Sequence, residues 1–262
     1  MRAPDGTAYD LLGPDDAPLV ALIHGLGLCR KLWEPHLPAF AARYRVLNYD
    51  LYGHGESAPP PREASLTVFS DQLVGLLDNI GVEQAAVIGF SIGGMINRRF
   101  ALDHVERLSA LVILNSPHDR GAEAQEAVEA RARTVREQGA LATMDAALER
   151  WFTPGFRAGA PQAMDRVREW RLQADPEGYA QAAWVLANGV RELIRPARPI
   201  TCPTLVMTCE NDSGSTPAMS EEIAAEIPGS ELQIVPKLQH LGLLERPELF
   251  TEPVSAFLER HL

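Results

Sequence analysis

The stretch VIGFSIGGM, Val87–Met95, crowds three glycines around one serine. Glycine weakens both helices and strands because it surrenders the most backbone freedom on folding. Three of them in nine residues therefore need a geometric reason. The preceding run AAVIGF, residues 85–90, is apolar throughout and of strand length. The residues after Ser91 read as a helix to about His104. Gly89-Phe90-Ser91-Ile92-Gly93 then fits G-x-S-x-G at a sharp strand-to-helix turn. At such a turn the serine backbone is strained, and strand and helix pass too close for side chains at the flanking positions.

Working outward, further apolar runs repeat the pattern. PLVALIH is cut off by Gly25 and Gly27, and YRVLNYD ends at Asp50. Downstream lie LSALVILNS, TLVMTC and SELQIV. Between them, apolar residues from Leu66 to Ile80 recur with helical period before Gly81, a C-cap glycine. Thr216-Pro217 opens another helix to about Ile227, and a last one is expected from about Pro247 to Arg260. Asp5-Gly6 predicts a hairpin between two short N-terminal strands. Fully apolar strands alternating with helices imply a mostly parallel sheet covered on both faces, the α/β class.

The rhythm breaks once. From His118 to Arg198 there is no strand candidate, and AEAQEAVEARARTVREQ typifies the composition. This predicts three to five helices inserted after a strand's C-terminal end, where open α/β sheets bind ligands. The expected division is a core of residues 1–117 and 199–262 and an all-helical cap of residues 118–198.

Composition narrows the function classes. The 262 residues are 46% hydrophobic, ample for a core without covalent staples, and the net charge is −11. An acidic chain without a basic cluster is a poor partner for nucleic acid. No apolar stretch is long enough to cross a bilayer, and MRAPDGTAYD lacks the apolar core of a signal peptide. Cys29, Cys202 and Cys209 show neither metal nor redox spacing, so a reducing cytoplasm and free thiols are expected. No metal or other cofactor is implied. The expected partner is a small molecule, and the expected assembly a monomer or homodimer.

A serine hydroxyl needs a base, and the base needs an orienting group. In elbow enzymes these follow in the chain order serine, acid, histidine. CENDSGSTP offers Asp212 after the fifth of the buried runs, and QHLGLLERPELF offers His240 after the sixth. Both fall on the same sheet edge as Ser91. Glu210 and Asp119 are rival acids. The N–H of Ile92, at a helix N-terminus, suits an oxyanion, and a second donor is expected at Leu26 after LIHG. His24 and His54 read as structural loop residues.

Together, LIHGLGLCRKLW, YDLYGHGES, GFSIGGM, ENDSGSTP and QHLGLLERPELF resemble the α/β-hydrolase superfamily. The resemblance implies an eight-stranded sheet with very short N-terminal strands here. It also implies a Ser91–His240–Asp212 triad, an oxyanion hole at Leu26 and Ile92, and a helical cap. HLGLLERPELF and the cap's RWFTPGF are similar to 3-oxoadipate enol-lactonases and related small esterases, which act on a lactone carrying a carboxylate. Perhydrolase-type relatives also carry an aromatic at Phe90. Leu241 stands where carbon–carbon bond hydrolases usually have an aromatic, and Ser91 where epoxide hydrolases and dehalogenases have aspartate.

The expected activity is hydrolysis of a small carboxylic ester or lactone through an acyl-enzyme. Acyl transfer to an alcohol or peroxide, carbon–carbon bond hydrolysis, and ligand binding without catalysis remain the alternatives. Substrate contacts are expected from Phe90 and the cap aromatics Trp151, Phe152 and Trp184. For a substrate carboxylate, Arg30 in the catalytic-edge loop is the first candidate and Arg150 the second.

Overall fold

The sheet is built from runs that can lose all contact with water. A computed structural model describes residues 1–262. Its strands are β1 (Tyr9–Leu12), β2 (Leu19–Ile23), β3 (Arg45–Tyr49), β4 (Ala85–Phe90), β5 (Leu108–Leu114), β6 (Thr204–Cys209) and β7 (Glu231–Val235). Every residue of β2, β4 and β6 is buried. The strands form one sheet in the order β1-β3-β2-β4-β5-β6-β7, with only the β1–β3 pair antiparallel.

Alternation along the strands divides the core in two. Ala21, Ile23, Val87, Leu111 and Ile113 face a cluster shared with α2 (Leu66–Ile80), α3 (Ile92–Asp103) and α9 (Pro217–Glu226). Val20, Leu22, Ile88, Val112 and Met207 face a second cluster shared with α1 (Leu37–Ala41) and α11 (Glu248–His261). The clusters hold 33 and 32 buried residues, so neither face is left for a partner to cover. Helix α2 runs over the expected residues. Ser65 caps its start by accepting from the N–H of Val68, and Gly81 ends it at φ 71°, a conformation that costs glycine nothing.

Between β5 and β6 lie five helices and no strand: α4 (Gly121–Gln138), α5 (Met144–Trp151), α6 (Pro154–Gly159), α7 (Pro161–Leu172) and α8 (Pro176–Asn188). Met144, Leu148, Phe152, Val167 and Trp170 continue the second core cluster and tie α5 and α7 to the sheet side. Helices α4 and α8 meet through a small separate cluster rich in alanine, including Ala132, Ala180 and Ala183. After β7 comes the short α10 (Gly242–Glu245).

The sheet has seven strands and not eight. The N-terminal hairpin is reduced to a single bridge between Arg2 and Ala8. Gly6 takes φ 85° and Asp5 accepts from the N–H of Thr7, so the turn itself forms. Its first arm is only a few residues long and contains Pro4, which has no N–H to donate.

Candidate active site

The turn between β4 and α3 carries Ser91 at φ 58° and ψ −115°, outside the regions a side-chain-bearing residue prefers. Two glycines make it possible. A Cβ on Gly89 would lie 2.1 Å from the carbonyl oxygen of Gly93, and one on Gly93 would lie 2.4 Å from that of Ile23. Only glycine fits where α3 crosses so close to β4 and β2. The Ser91 N–H is fixed by the carbonyl of Leu114 at 2.9 Å, which ties the elbow to the end of β5.

The loops after β6 and β7 bring an acid and a base to this serine. His240 Nε2 lies 3.2 Å from Ser91 Oγ, and its Nδ1 lies 2.6 Å from Asp212 Oδ2. With Nδ1–H donating to the carboxylate, Nε2 is left as the acceptor facing the hydroxyl. Asp212 is buried, and burial alone would raise its pKa. The facing imidazole, the Asn115 amide and the N–H of Ser215 outweigh burial and hold it below the ordinary carboxylate range. The Asn115 and Ser215 donors each stand 2.9 Å from the carboxylate. Glu210 instead accepts from the N–H of Lys237, and Asp119 from that of Gly121, so neither rival meets the histidine.

Two backbone N–H groups beside the serine donate to nothing in the protein. Leu26, on the loop after β2, makes no backbone hydrogen bond, while its neighbour Gly25 accepts from Leu28. Ile92 opens α3, where its N–H has no intrahelical acceptor. Its side chain is buried in the core. Leu26 and Phe90 line the cavity above Ser91, and the Phe90 ring lies 5.0 Å from that of His240. Trp151 lines it from the end of α5, 6.1 Å from the same imidazole, and its carbonyl accepts from the N–H of Leu241. That bond fastens the histidine loop to the end of α5.

Three expected substrate contacts lie elsewhere. Arg30 pairs with Asp10 at 2.8 Å and with Asp50 and Glu56, so its guanidinium is occupied away from the cavity. Phe152 is fully buried in the core beside Phe156, at 5.3 Å, because the chain leaves its helix there and turns the ring inward. Trp184 is 44% exposed on the outer face of α8, while Ala183 beside it faces the cavity. Arg150 does line the cavity. His24 and His54 are buried loop residues. His24 accepts from the N–H of Leu51 at Nε2 and meets the Gly25 carbonyl through Nδ1.

Four contributors went unread in the sequence: Asn115, Arg120, Arg131 and Arg171. Asn115 follows a strand and takes φ 47°, a conformation asparagine tolerates, but it belongs to no motif. The arginines look like any others in a charged helical segment. Only packing shows that they face inward.

Comparison with known proteins agrees with this architecture. The alpha/beta hydrolase family matches over residues 20–252. The 3-oxoadipate enol-lactonase 2 of Acinetobacter baylyi is 31% identical over 253 residues, covering 96% of this chain and 92% of the relative. The crystal structure of the enol-lactonase from Burkholderia xenovorans LB400 superposes with a TM-score of 0.89 at 29% identity, covering 97% and 96% of the two chains. A hydrolase from Pseudomonas aeruginosa PA01 gives 0.88 at 29% identity, covering 98% and 97%. With the family match spanning nearly its full length, the chain belongs to the alpha/beta hydrolase family.

Proposed function

We propose that the protein is a serine hydrolase that cleaves a small carboxylic ester or lactone through an acyl-enzyme. The observation that carries this reading is the continuous hydrogen-bonded line Ser91–His240–Asp212 inside one cavity. Family membership and the similarity to enol-lactonases support ester-bond chemistry.

His240 Nε2 takes the proton of Ser91 as Oγ attacks the carbonyl carbon. The N–H groups of Leu26 and Ile92 stabilise the oxyanion that forms. As the tetrahedral centre collapses, the carbon–oxygen bond to the leaving group breaks and His240 protonates the departing oxygen. In a lactone that oxygen stays tethered to the acyl group. Water then gives a proton to His240 and attacks the acyl carbon, and Ser91 regains its proton as it leaves. Asp212 holds the imidazole in the working tautomer and stabilises its cation.

Residues 118–198 form a cap that walls the cavity. The protein works without a metal or other cofactor, as a monomer or homodimer. No helix is long and apolar enough to cross a membrane. Three unpaired cysteines suit a reducing compartment, the cytoplasm.

The test is turnover across a panel of aryl acetates, alkyl esters and lactones, with Ser91→Ala as control. At least one substrate should be cleaved, and the variant should lose at least about three orders of magnitude in kcat. A folded variant with near-normal turnover would overturn the reading.

A further inference from the structure

The cap puts four arginines on the cavity wall: Arg120, Arg131, Arg150 and Arg171. None has a carboxylate within ion-pair distance, although Arg30, Arg99, Arg107 and Arg168 elsewhere all do. The single carboxylate in the cavity is Asp212, and His240 occupies it. A chain of net charge −11 thus keeps four arginines without an ion pair on the wall of the cavity that holds its serine.

Three of the arginines are held in place, with donors to spare. Arg171 is buried between Trp151, 4.9 Å from its guanidinium carbon, and Tyr179, at 5.5 Å. Its Nε and Nη1 are buried without a hydrogen-bond partner. Arg120 gives Nη2 to the carbonyl of Leu186 at 3.0 Å and leaves Nη1 buried and unpartnered. Arg150 gives Nη1 to Ala146, one turn back in α5, at 2.8 Å. Burial lowers the proton affinity of all four, Arg120 to about 10; Glu149 partly offsets this in Arg150, whereas neighbouring arginines lower it further in Arg120, Arg131 and Arg171. Arg150 acts in this way on both Arg131 and Arg171, and Arg131 acts on Arg120, so the four form a connected row. Like charges gathered along one partly buried wall are unfavourable until an anion arrives.

The row is also long. Arg171 lies against Gly27, beside the proposed oxyanion donor Leu26, where a Cβ on Gly27 would be 2.9 Å from its Nε. Arg171 packs on Tyr179 in the first turn of α8, whereas Arg120 bonds the carbonyl of Leu186, seven residues on and about 10 Å of helix rise away. One small anion engages only one end of such a row, whereas two carboxylates separated by a short carbon chain engage both. We propose that the ester or lactone bound here is a dicarboxylate, with one carboxylate read by Arg171 beside the oxyanion loop and the other by Arg120 and Arg131. Arg150 lies between the two positions and neutralises whichever carboxylate is nearer.

The bond to be cleaved rests on the serine-hydrolase reading, but the binding does not. The test is therefore calorimetric titration of the full-length Ser91→Ala protein with glutarate, monomethyl glutarate and inorganic phosphate at fixed low salt. Glutarate should bind at least about tenfold more tightly than its monomethyl ester, since a charged hydrogen bond is worth that much or more. Adding Arg150→Met or Arg171→Met should weaken glutarate by about tenfold or more and shrink its advantage over the monoester. Arg171 supports two aromatic rings, so Arg150→Met decides the matter if the Arg171 variant misfolds. Equal affinity for glutarate and the monoester, tighter binding of phosphate, or glutarate affinity indifferent to Arg150→Met would each overturn the proposal. A wild type that binds glutarate yet cleaves no ester would overturn the catalytic reading alone.

Discussion

Ser91 and Asn115 both take positive φ, and both stand at the C-terminal ends of neighbouring strands. The serine was legible because its strain needs glycines, and glycines leave a pattern in the sequence. Asn115 was not, because a lone asparagine after a strand is common turn chemistry. Its amide reaches Asp212 Oδ2, the oxygen that also accepts from His240. Asn115→Ala should therefore leave the acid less firmly oriented and lower kcat by about tenfold, in keeping with one lost hydrogen bond to a charged group. Asp212→Asn should be far worse, about 10⁴-fold, because the imidazole tautomer is no longer enforced. Steady-state kinetics on one aryl ester would rank the two. An Asn115→Ala enzyme as crippled as Asp212→Asn would move the acid's role toward β5.

Elements were legible where periodicity and punctuation agreed. Helix α2 had both a buried stripe and a C-terminal glycine, and its bounds follow. The first arm of the N-terminal hairpin had only a turn signal, and it survives as one bridge. In the cap, periodicity shows that a face is buried but not what it is buried against. Trp151 and Phe152 are adjacent, yet one meets the cavity and the other the core. Glycines test the element scale directly. Gly75 sits exposed within α2 with nothing near its would-be Cβ. Gly75→Ala should raise stability by about 0.5–1 kcal/mol. Gly93→Ala has no room beside the Ile23 carbonyl and should prevent the native fold from forming or sharply lower its urea midpoint. Urea titrations of the two variants check this, and a tolerated Gly93→Ala would contradict the crossing of α3 over β2.

At the scale of the whole molecule, the fold and the Ser91–His240–Asp212 line follow from chain order, because each of the three residues lies just past a strand that the sequence marks. The charge of the cavity does not, since four cap arginines share a wall only after the helices pack. Buried histidines add a stability term of the same global kind. Burial lowers His24 and His36 to about 4 and His54 to about 3. All three stay neutral in the native state at pH values where the unfolded chain, with an ordinary value near 6.5, takes up protons. Between about pH 6.5 and 4 the unfolded state binds more protons, so stability must fall as pH falls, by up to about 1.4 kcal/mol per unit per histidine. His24 and His54 lie 5.4 Å apart and titrate as a coupled pair, so their contributions are not additive. Urea midpoints should be level above pH 7 and drop steeply by pH 4.5, and an unchanged midpoint would contradict this burial. Mass spectrometry of protein treated with a serine-directed fluorophosphonate tests whether Ser91 is the nucleophile. The reagent should add one phosphonyl group to the peptide containing Ser91 and abolish turnover in step with labelling. Label on another residue, or full labelling of Ser91 with turnover intact, would contradict the account.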